Sequence, residues 1–507
     1  MRIAILTWES LHSTAVGGVA VHASELSSAL AGKGHEVHLF TRRMPNQRSH
    51  DLIDGVHYHR CTYSPHHDFV DDVNNMCRAM VDHFFLIEDY VGHFDIVHAH
   101  DWLCANAMIW IKKGRGHKCV FTIHSTEYGR CGNEFHNGRS VRVRDQERAG
   151  TYWADKIIAV SQATKEEVMW MYEVPDWKIN VINNGVKWKR FDIHLDPGDE
   201  KRKYNIGPLD PTVLFCGRLT VQKGADILVE AIRGIVNKYP DAKFIFAGDG
   251  DQRGSLEARV RHLNISNATR FVGYKSGDEL TKLFKLCDVV CVPSRNEPFG
   301  IVVLEAWSAS KPVVVTEIGG PKYYVEHEIN GLKIHPHTNS VIWGIDRIFS
   351  DFDKARWMGS NGRKGVEKYF SWDRISSQNL EVYQELCPQS LSKPEQQKQR
   401  IRTQRIRIPG QRILSLPNKR KGNGSSLKLE ARLLLPHGNI SEDTKSTVRS
   451  LISHFASHGF EAMQKDHYLK IRGDLEHLTT ALVEARKEII PMQDYDVTSQ
   501  ESKTGEF

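Results

Sequence analysis

Short apolar segments recur along this chain, and nearly every one runs into polar or glycine residues at its carboxyl end. They include Arg2-Ile-Ala-Ile-Leu-Thr, Phe94-Asp-Ile-Val-His-Ala-His-Asp, Lys118-Cys-Val-Phe-Thr-Ile-His, Ile157-Ile-Ala-Val-Ser and Ile179-Asn-Val-Ile-Asn-Asn-Gly. Continuous apolar runs of this length suit strands covered on both faces, as in parallel sheets with helical crossovers. Polar residues at the strand ends mark the edge where open parallel sheets bind ligands. The series breaks over residues 192–210, rich in Pro, Gly and charge, then restarts at Thr212-Val-Leu-Phe-Cys-Gly-Arg-Leu. It continues through Lys243-Phe-Ile-Phe-Ala-Gly-Asp-Gly, Arg270-Phe-Val-Gly-Tyr, Val289-Val-Cys-Val and Val313-Val-Val-Thr. The expected class is α/β: two doubly wound, Rossmann-like domains, residues 1–192 and 193–370, facing across a cleft. An amphipathic stretch at 371–386 is expected to pack back on the first domain as a helix.

Bulk properties narrow the function. A chain of 507 residues exceeds one core. No apolar run approaches the ~20 residues of a membrane span, and Met1–Leu6 reads as a strand rather than a signal peptide. The nine cysteines form no C-x-x-C pair and fall largely in strands, which fits buried thiols in a reducing cytoplasm. The net charge is +6. Residues 388–424 alone carry +9, so the remainder stands at −3 and is no polyanion binder.

The richest stretch is 291–312, CVPSRNEPFGIVVLEAWSASKP. It reads as a strand end, a Pro/Ser/Gly loop with Glu297, and a helix from about Ile301 bearing Glu305. Free N–H groups at such a helix start face whatever lies above the strand ends, and flanking acids can bind hydroxyls beside an anion. On spacing alone, two solvated glutamates on an ordinary strand–helix unit is the simpler account. Gly17-Gly18 opens the first helix without a G-x-G-x-x-G fingerprint, so these glycines suit close approach of backbone amides to a phosphate. Arg218 and Lys223 share one loop after a strand. His98 and His100 lack a third ligand at a recognisable spacing, and Asp249-Gly-Asp251 has the form of a metal-binding D-x-D, which the family resemblance given below reads instead as a turn.

Taken as an ordered set, these motifs carry a family resemblance. They are Gly17-Gly18, His98-Ala-His-Asp, Phe121-Thr-Ile-His124, Asn184-Gly-Val, Gly217-Arg218 with Lys223-Gly, Gly248-Asp-Gly, Glu297-Pro-Phe-Gly300 with Glu305-Ala, and Gly319-Gly320. Residues 1–386 resemble retaining glycosyltransferases of the two-domain GT-B architecture, in the large group 1 family that includes sucrose synthases, bacterial mannosyl- and glucosyltransferases and glycogen synthases. The resemblance implies hexosyl transfer from a nucleoside-diphosphate sugar to a glycan acceptor, with glucosyl transfer to an α-glucan favoured. It implies that Arg218 and Lys223 clasp the donor diphosphate, Glu297 and His124 sit at the donor sugar, and Glu305 accepts ribose hydroxyls. Gly17, Gly18, Phe299, Gly300, Gly319 and Gly320 would line the donor, with Tyr274 near the nucleobase. No cofactor and no essential metal are expected. The Lys-x-Gly-Gly lysine of bacterial glycogen synthases is Ala15 here, which puts donor choice and elongation chemistry in doubt. The alternatives are a transferase for lipid-linked or surface glycans and a sugar-nucleotide epimerase of the same architecture.

The rest of the chain falls outside that resemblance. The basic linker 388–424 reads as a disordered tether, with an anionic contact as the alternative. Residues 427–489 read as a small α+β module of βαββα order, with helices at Ser441–His458 and Asp474–Lys487. Docking or oligomer assembly suits it better than catalysis. Residues 491–507 read as a loose tail.

Overall fold

The computed structural model describes residues 1–15 and 17–388, and beyond them five strands between 405 and 474. The first sheet contains β1 (Arg2–Leu6), β2 (Glu36–Arg42), β3 (His50–Ile53), β4 (Val56–Cys61), β5 (Ile96–His100), β6 (Cys119–Ile123), β7 (Lys156–Ala159) and β8 (Ile179–Val181), in the order β3-β4-β2-β1-β5-β6-β7-β8. Every pairing is parallel except β3 with β4. Alternate residues of β1 serve opposite faces: Ile3 and Ile5 pack with Leu26, Val37 and Ile96, while Ala4 and Leu6 pack with Phe40, Phe84 and Phe121. The winding direction reverses between β1 and β5, so the loops after these strands diverge and leave a crevice.

The second sheet is wholly parallel: β9 (Thr212–Cys216), β10 (Lys243–Ala247), β11 (Thr269–Gly273), β12 (Val289–Val292), β13 (Val313–Thr316) and β14 (Leu332–Ile334), ordered β11-β10-β9-β12-β13-β14. Its reversal falls between β9 and β12. The helix Trp372–Leu386 returns to the first sheet. Its Ile375, Leu380, Val382 and Tyr383 join the core around Ile3 and Ile5, and the Tyr383 hydroxyl lies 2.6 Å from His98 Nδ1. His98 Nε2 meets Thr122 Oγ1 at 2.6 Å, so His98 is spent on structure. All nine cysteines are free thiols. Among the described residues no helix is long and apolar enough to cross a membrane.

A third, antiparallel sheet, β15-β16-β17-β19-β18, contains β15 (Arg405–Ile408), β16 (Gln411–Ser415), β17 (Lys428–Leu434), β18 (Glu461–Lys465) and β19 (Tyr468–Asp474). β15 and β16 lie within the basic segment 388–424, which corrects the expectation of a tether without structure. Arg405-Ile-Arg-Ile alternates with the two-residue period of a strand, a signal that the cationic composition hides. Asp474 ends a strand. The expected helices 441–458 and 474–487 and the tail 491–507 lie outside the described residues.

Candidate active site

β9 and β12 are adjacent parallel strands at the reversal point, so the loops leaving their carboxyl ends stand side by side. The loop after β9 ends in a short turn, Val221–Lys223, closed by Gly224. Gly224 has φ +69°, and a Cβ there would fall 2.1 Å from the Pro293 carbonyl oxygen. This contact presses the cationic loop onto the acidic one. Lys223 Nζ reaches both carboxylate oxygens of Glu297 at 2.9 Å, and Ser294 Oγ donates to Glu297 Oε2 at 3.0 Å. The Glu297 side chain is 5% exposed and that of Lys223 21%. Arg218 is exposed at the mouth, with Nη2 3.5 Å from Gln222 Oε1.

Behind Glu297 the chain enters the helix Ile301–Ser308, with Gly300 at its N-cap. Gly319 and Gly320 lie beneath the acidic loop. Gly319 has φ +69° with room for no side chain, since a Cβ would stand 2.0 Å from the Glu297 carbonyl oxygen, and Gly320 N–H donates to that carbonyl at 2.8 Å. Glu305 is half-buried, its side chain 14% exposed, and Arg190 Nη2 donates to its Oε1 at 2.6 Å. Burial pushes the Glu305 carboxyl upward while Arg190 pulls it back.

The first domain closes over these loops. Gly17 N–H donates to Glu9 Oε2 at 3.0 Å, and a Cβ on Gly18 would lie 3.0 Å from Ile301 Cδ1, so the glycine pair meets the start of the Glu305 helix. Ser161 Oγ donates to the Pro298 carbonyl at 2.6 Å, Asn296 Nδ2 to Asn133 Oδ1 at 2.8 Å, and Tyr323 OH to Glu166 at 2.8 Å. His124 follows β6. Its backbone N–H donates to Asp101 at 2.7 Å, and burial drives its imidazole down to about 3, so it is neutral at pH 7.

Lys223, Glu297, Gly300, Gly319, Gly320 and the Gly17-Gly18 pair therefore converge, with Glu305 on the adjoining helix and Arg218 at the rim. Two of the expected residues stand apart from this cluster. The Phe299 side chain is buried against Tyr324 and Phe370, so this residue can face a donor only through its backbone. Its apolar ring follows the core side of a loop that the sequence shows only as a polar, glycine-containing turn. Tyr274 is 61% exposed past the end of β11, two strands from β9, and belongs to none of the contacts gathered at the acidic loop. Arg190 escapes sequence reasoning, because it pairs with a residue 115 positions away. Ser294 was legible in principle, three residues before Glu297 on the same loop.

Residues 16–190 match the family described as Glycosyltransferase Family 4, and residues 198–365 match Glycosyl transferases group 1. An uncharacterized glycosyltransferase of Methanocaldococcus jannaschii is 35% identical over 391 residues, covering 76% of this chain and 98% of the relative. A glycogen synthase of Mycobacterium tuberculosis is 28% identical over 399 residues, 76% of this chain and 94% of its own. A D-inositol 3-phosphate glycosyltransferase of Jonesia denitrificans is 26% identical over 393 residues, 73% and 91% respectively. In fold the chain resembles a sucrose-phosphate synthase from Thermosynechococcus elongatus, at TM-score 0.65 and 24% identity over 76% of this chain and 98% of that one. It also resembles Anabaena HepE in complex with UDP-glucose, at TM-score 0.63 and 20% identity over 76% and 100%. The architecture is GT-B. The chain belongs to the group 1 glycosyltransferases.

Proposed function

We propose that this glycosyltransferase moves a glucosyl group, with retention of configuration, from a nucleoside-diphosphate glucose to a glycan, elongating an α-glucan. The observation that carries the reading is the Lys223–Glu297 pair at the β9–β12 reversal, with Arg218 exposed beside it. A diphosphate entering there meets two cations on one short loop, each able to contribute about 1.5–3 kcal/mol through charge-assisted bonds. That contribution grows as the bond from the anomeric carbon to phosphate oxygen breaks and negative charge builds on the leaving group. The acceptor oxygen then bonds the same face of the anomeric carbon, and its proton passes to the departing phosphate oxygen. Glu297, buried and paired, is suited to holding sugar hydroxyls and stabilising positive charge at the anomeric carbon. His124, neutral, is suited to a hydrogen bond with the sugar. Glu305 is suited to the ribose, sharing its carboxylate with Arg190. No step calls on a metal.

The relative named glycogen synthase supports the α-glucan reading. The relative named D-inositol 3-phosphate glycosyltransferase keeps a small phosphorylated polyol or a lipid-linked glycan as the second reading. A panel of ADP-, UDP- and GDP-glucose against glycogen, maltooligosaccharides and inositol phosphate, read as nucleoside diphosphate release and product linkage, tests it. Chain lengthening with an α-linkage is the expected result. Donor conversion without acceptor would instead identify an epimerase, and transfer to the polyol alone would overturn the α-glucan assignment.

A further inference from the structure

The first domain holds three histidines that the motifs alone do not bring together. His22 lies early in the helix Gly18–Gly32, His100 ends β5, and His124 follows β6, the strand beside it. Ring centroids are 4.6 Å apart for His22–His124, 5.3 Å for His22–His100 and 5.3 Å for His100–His124. One nitrogen from each ring lies within 4.8 Å of one from each of the others. His100 Nδ1 and His124 Nε2 are already 3.1 Å apart.

The polar atoms here are under-used. His22 is 2% exposed, yet neither of its ring nitrogens has a partner at hydrogen-bond geometry, although Asn184 lies alongside. His100 Nε2 and Asn184 Oδ1 are likewise buried and unpaired. Each such orphan costs about 1–3 kcal/mol, which a phenylalanine packed at position 22 would avoid. A second histidine group, Glu88, His93 and His117, differs. There Glu88 accepts from Arg115 at 2.7 Å and from the Phe94 N–H at 3.2 Å, so its carboxylate oxygens are already satisfied.

We propose that His22, His100 and His124 form a binding site for a divalent transition metal of the Zn2+ or Co2+ type. Three imidazoles without a carboxylate suit these ions and not Mg2+ or Ca2+. Nitrogens bound tetrahedrally at about 2.0–2.1 Å stand about 3.3 Å apart. The His100–His124 edge is near that value, and His22 must close the remaining gap by a small ring rotation. Asn184 Oδ1 or water supplies a fourth position. The consequence rests on the assignment of His124 to the donor sugar: a metal on its imidazole withdraws it from the sugar, so the ion is an inhibitor of transfer rather than a cofactor.

The test uses the full-length protein, freed of metal with a chelator and titrated with Co2+ by visible absorption and with Zn2+ by calorimetry. Compared with it are His22→Leu, His22→Phe and the control His93→Ala. One equivalent should bind to the wild type and to His93→Ala, with no Mg2+ competition. Both His22 variants should bind at least ~100-fold more weakly, beyond the ~10–100-fold that outer-shell changes cost. Two changes at position 22, each checked by thermal melting, guard against a misfolded protein. Absence of stoichiometric binding, or binding that folded His22 variants retain, overturns the site. Zn2+ should suppress nucleoside diphosphate release in the wild type and spare the His22 variants. Binding without suppression overturns the link to His124. An enzyme inactive on every sugar nucleotide defeats the proposed function, while the titration still decides the metal site.

Discussion

Replacing Lys223 by alanine probes both the architecture and the chemistry of the site. In the resting protein the lysine bridges both oxygens of Glu297, whose side chain is 5% exposed and has Ser294 as its other hydrogen-bonding side chain. Removing one member of a buried ion pair typically costs 3–5 kcal/mol, because the remaining charge is stranded. Lys223 is 21% exposed, so water will enter the gap, and a loss of about 2–3 kcal/mol is expected. Glu297→Gln in the Lys223→Ala background removes the stranded charge and should recover much of that loss, giving a coupling above about 1.5 kcal/mol. Turnover should respond differently. Each single change and the double change should all lose ~10²-fold or more in kcat/KM, about 2.7 kcal/mol, because in the proposed mechanism the diphosphate needs the lysine and the sugar needs the acid. Thermal and urea unfolding give the first result, and nucleoside diphosphate release gives the second. Additive stability effects would refute the buried pair, and wild-type turnover in Lys223→Ala would refute the phosphate loop.

Arg190→Ala frees the Glu305 carboxyl from its partner at 2.6 Å, and should raise the donor KM several-fold with a smaller change in kcat, as saturation kinetics would show. Gly319→Ala forces a Cβ to within 2.0 Å of the Glu297 carbonyl oxygen at φ +69°, so the melting temperature and donor binding should fall together. Asp101 is raised to about 6, burial outweighing the pull of Arg130 and of the His124 and Ser125 N–H groups. Its folded value lies above the unfolded ~3.9, so its contribution to stability is complete below about pH 4 and is lost as pH climbs through 6. Asp101→Asn cannot ionise, so between pH 4 and 7 it should gain roughly 2–3 kcal/mol relative to wild type; a constant difference in unfolding free energy would refute the assignment.

The legible parts of the chain are those whose meaning is local. A strand announces itself by apolar runs, its ligand-bearing end by the polar residue that follows, and a reversal point by which loops carry charge. That logic reaches Lys223 and Glu297, because β9 and β12 are nearest neighbours and each loop has a signal of its own. It fails for Arg190 and His22. Arg190 stands in a cationic connector, Lys187-Trp-Lys-Arg, that reads as solvated until Glu305 packs against it. His22 sits on a helix whose periodicity is ordinary, and its neighbours come from β5 and β6, whose placement beside the helix no single segment encodes. The Phe299 ring fails for the opposite reason, since a loop motif names its residues but not the side of the loop each takes.

Several of the contacts between the two domains fall on the acidic loop itself. Ser161 and Thr164 both reach the Pro298 carbonyl, at 2.6 and 3.4 Å, and Asn133 holds Asn296, the residue before Glu297. Gly129 gives Asn296 its room, since a Cβ there would stand 2.9 Å from the amide. These are neutral hydrogen bonds worth about 0.5–1.5 kcal/mol each, and Tyr323 with Glu166 adds one to a charged group. A few such bonds sum to a free energy that a diphosphate and a sugar can match, so closure and donor binding draw on energies of the same size. If the acidic loop grips the donor as proposed, it is also a loop that reports closure to the first domain, and opening must disturb Glu297 through its neighbours on both sides. On the proposed reading, release of the nucleoside diphosphate requires the same bonds to break, so domain opening, rather than bond making at the anomeric carbon, should limit turnover.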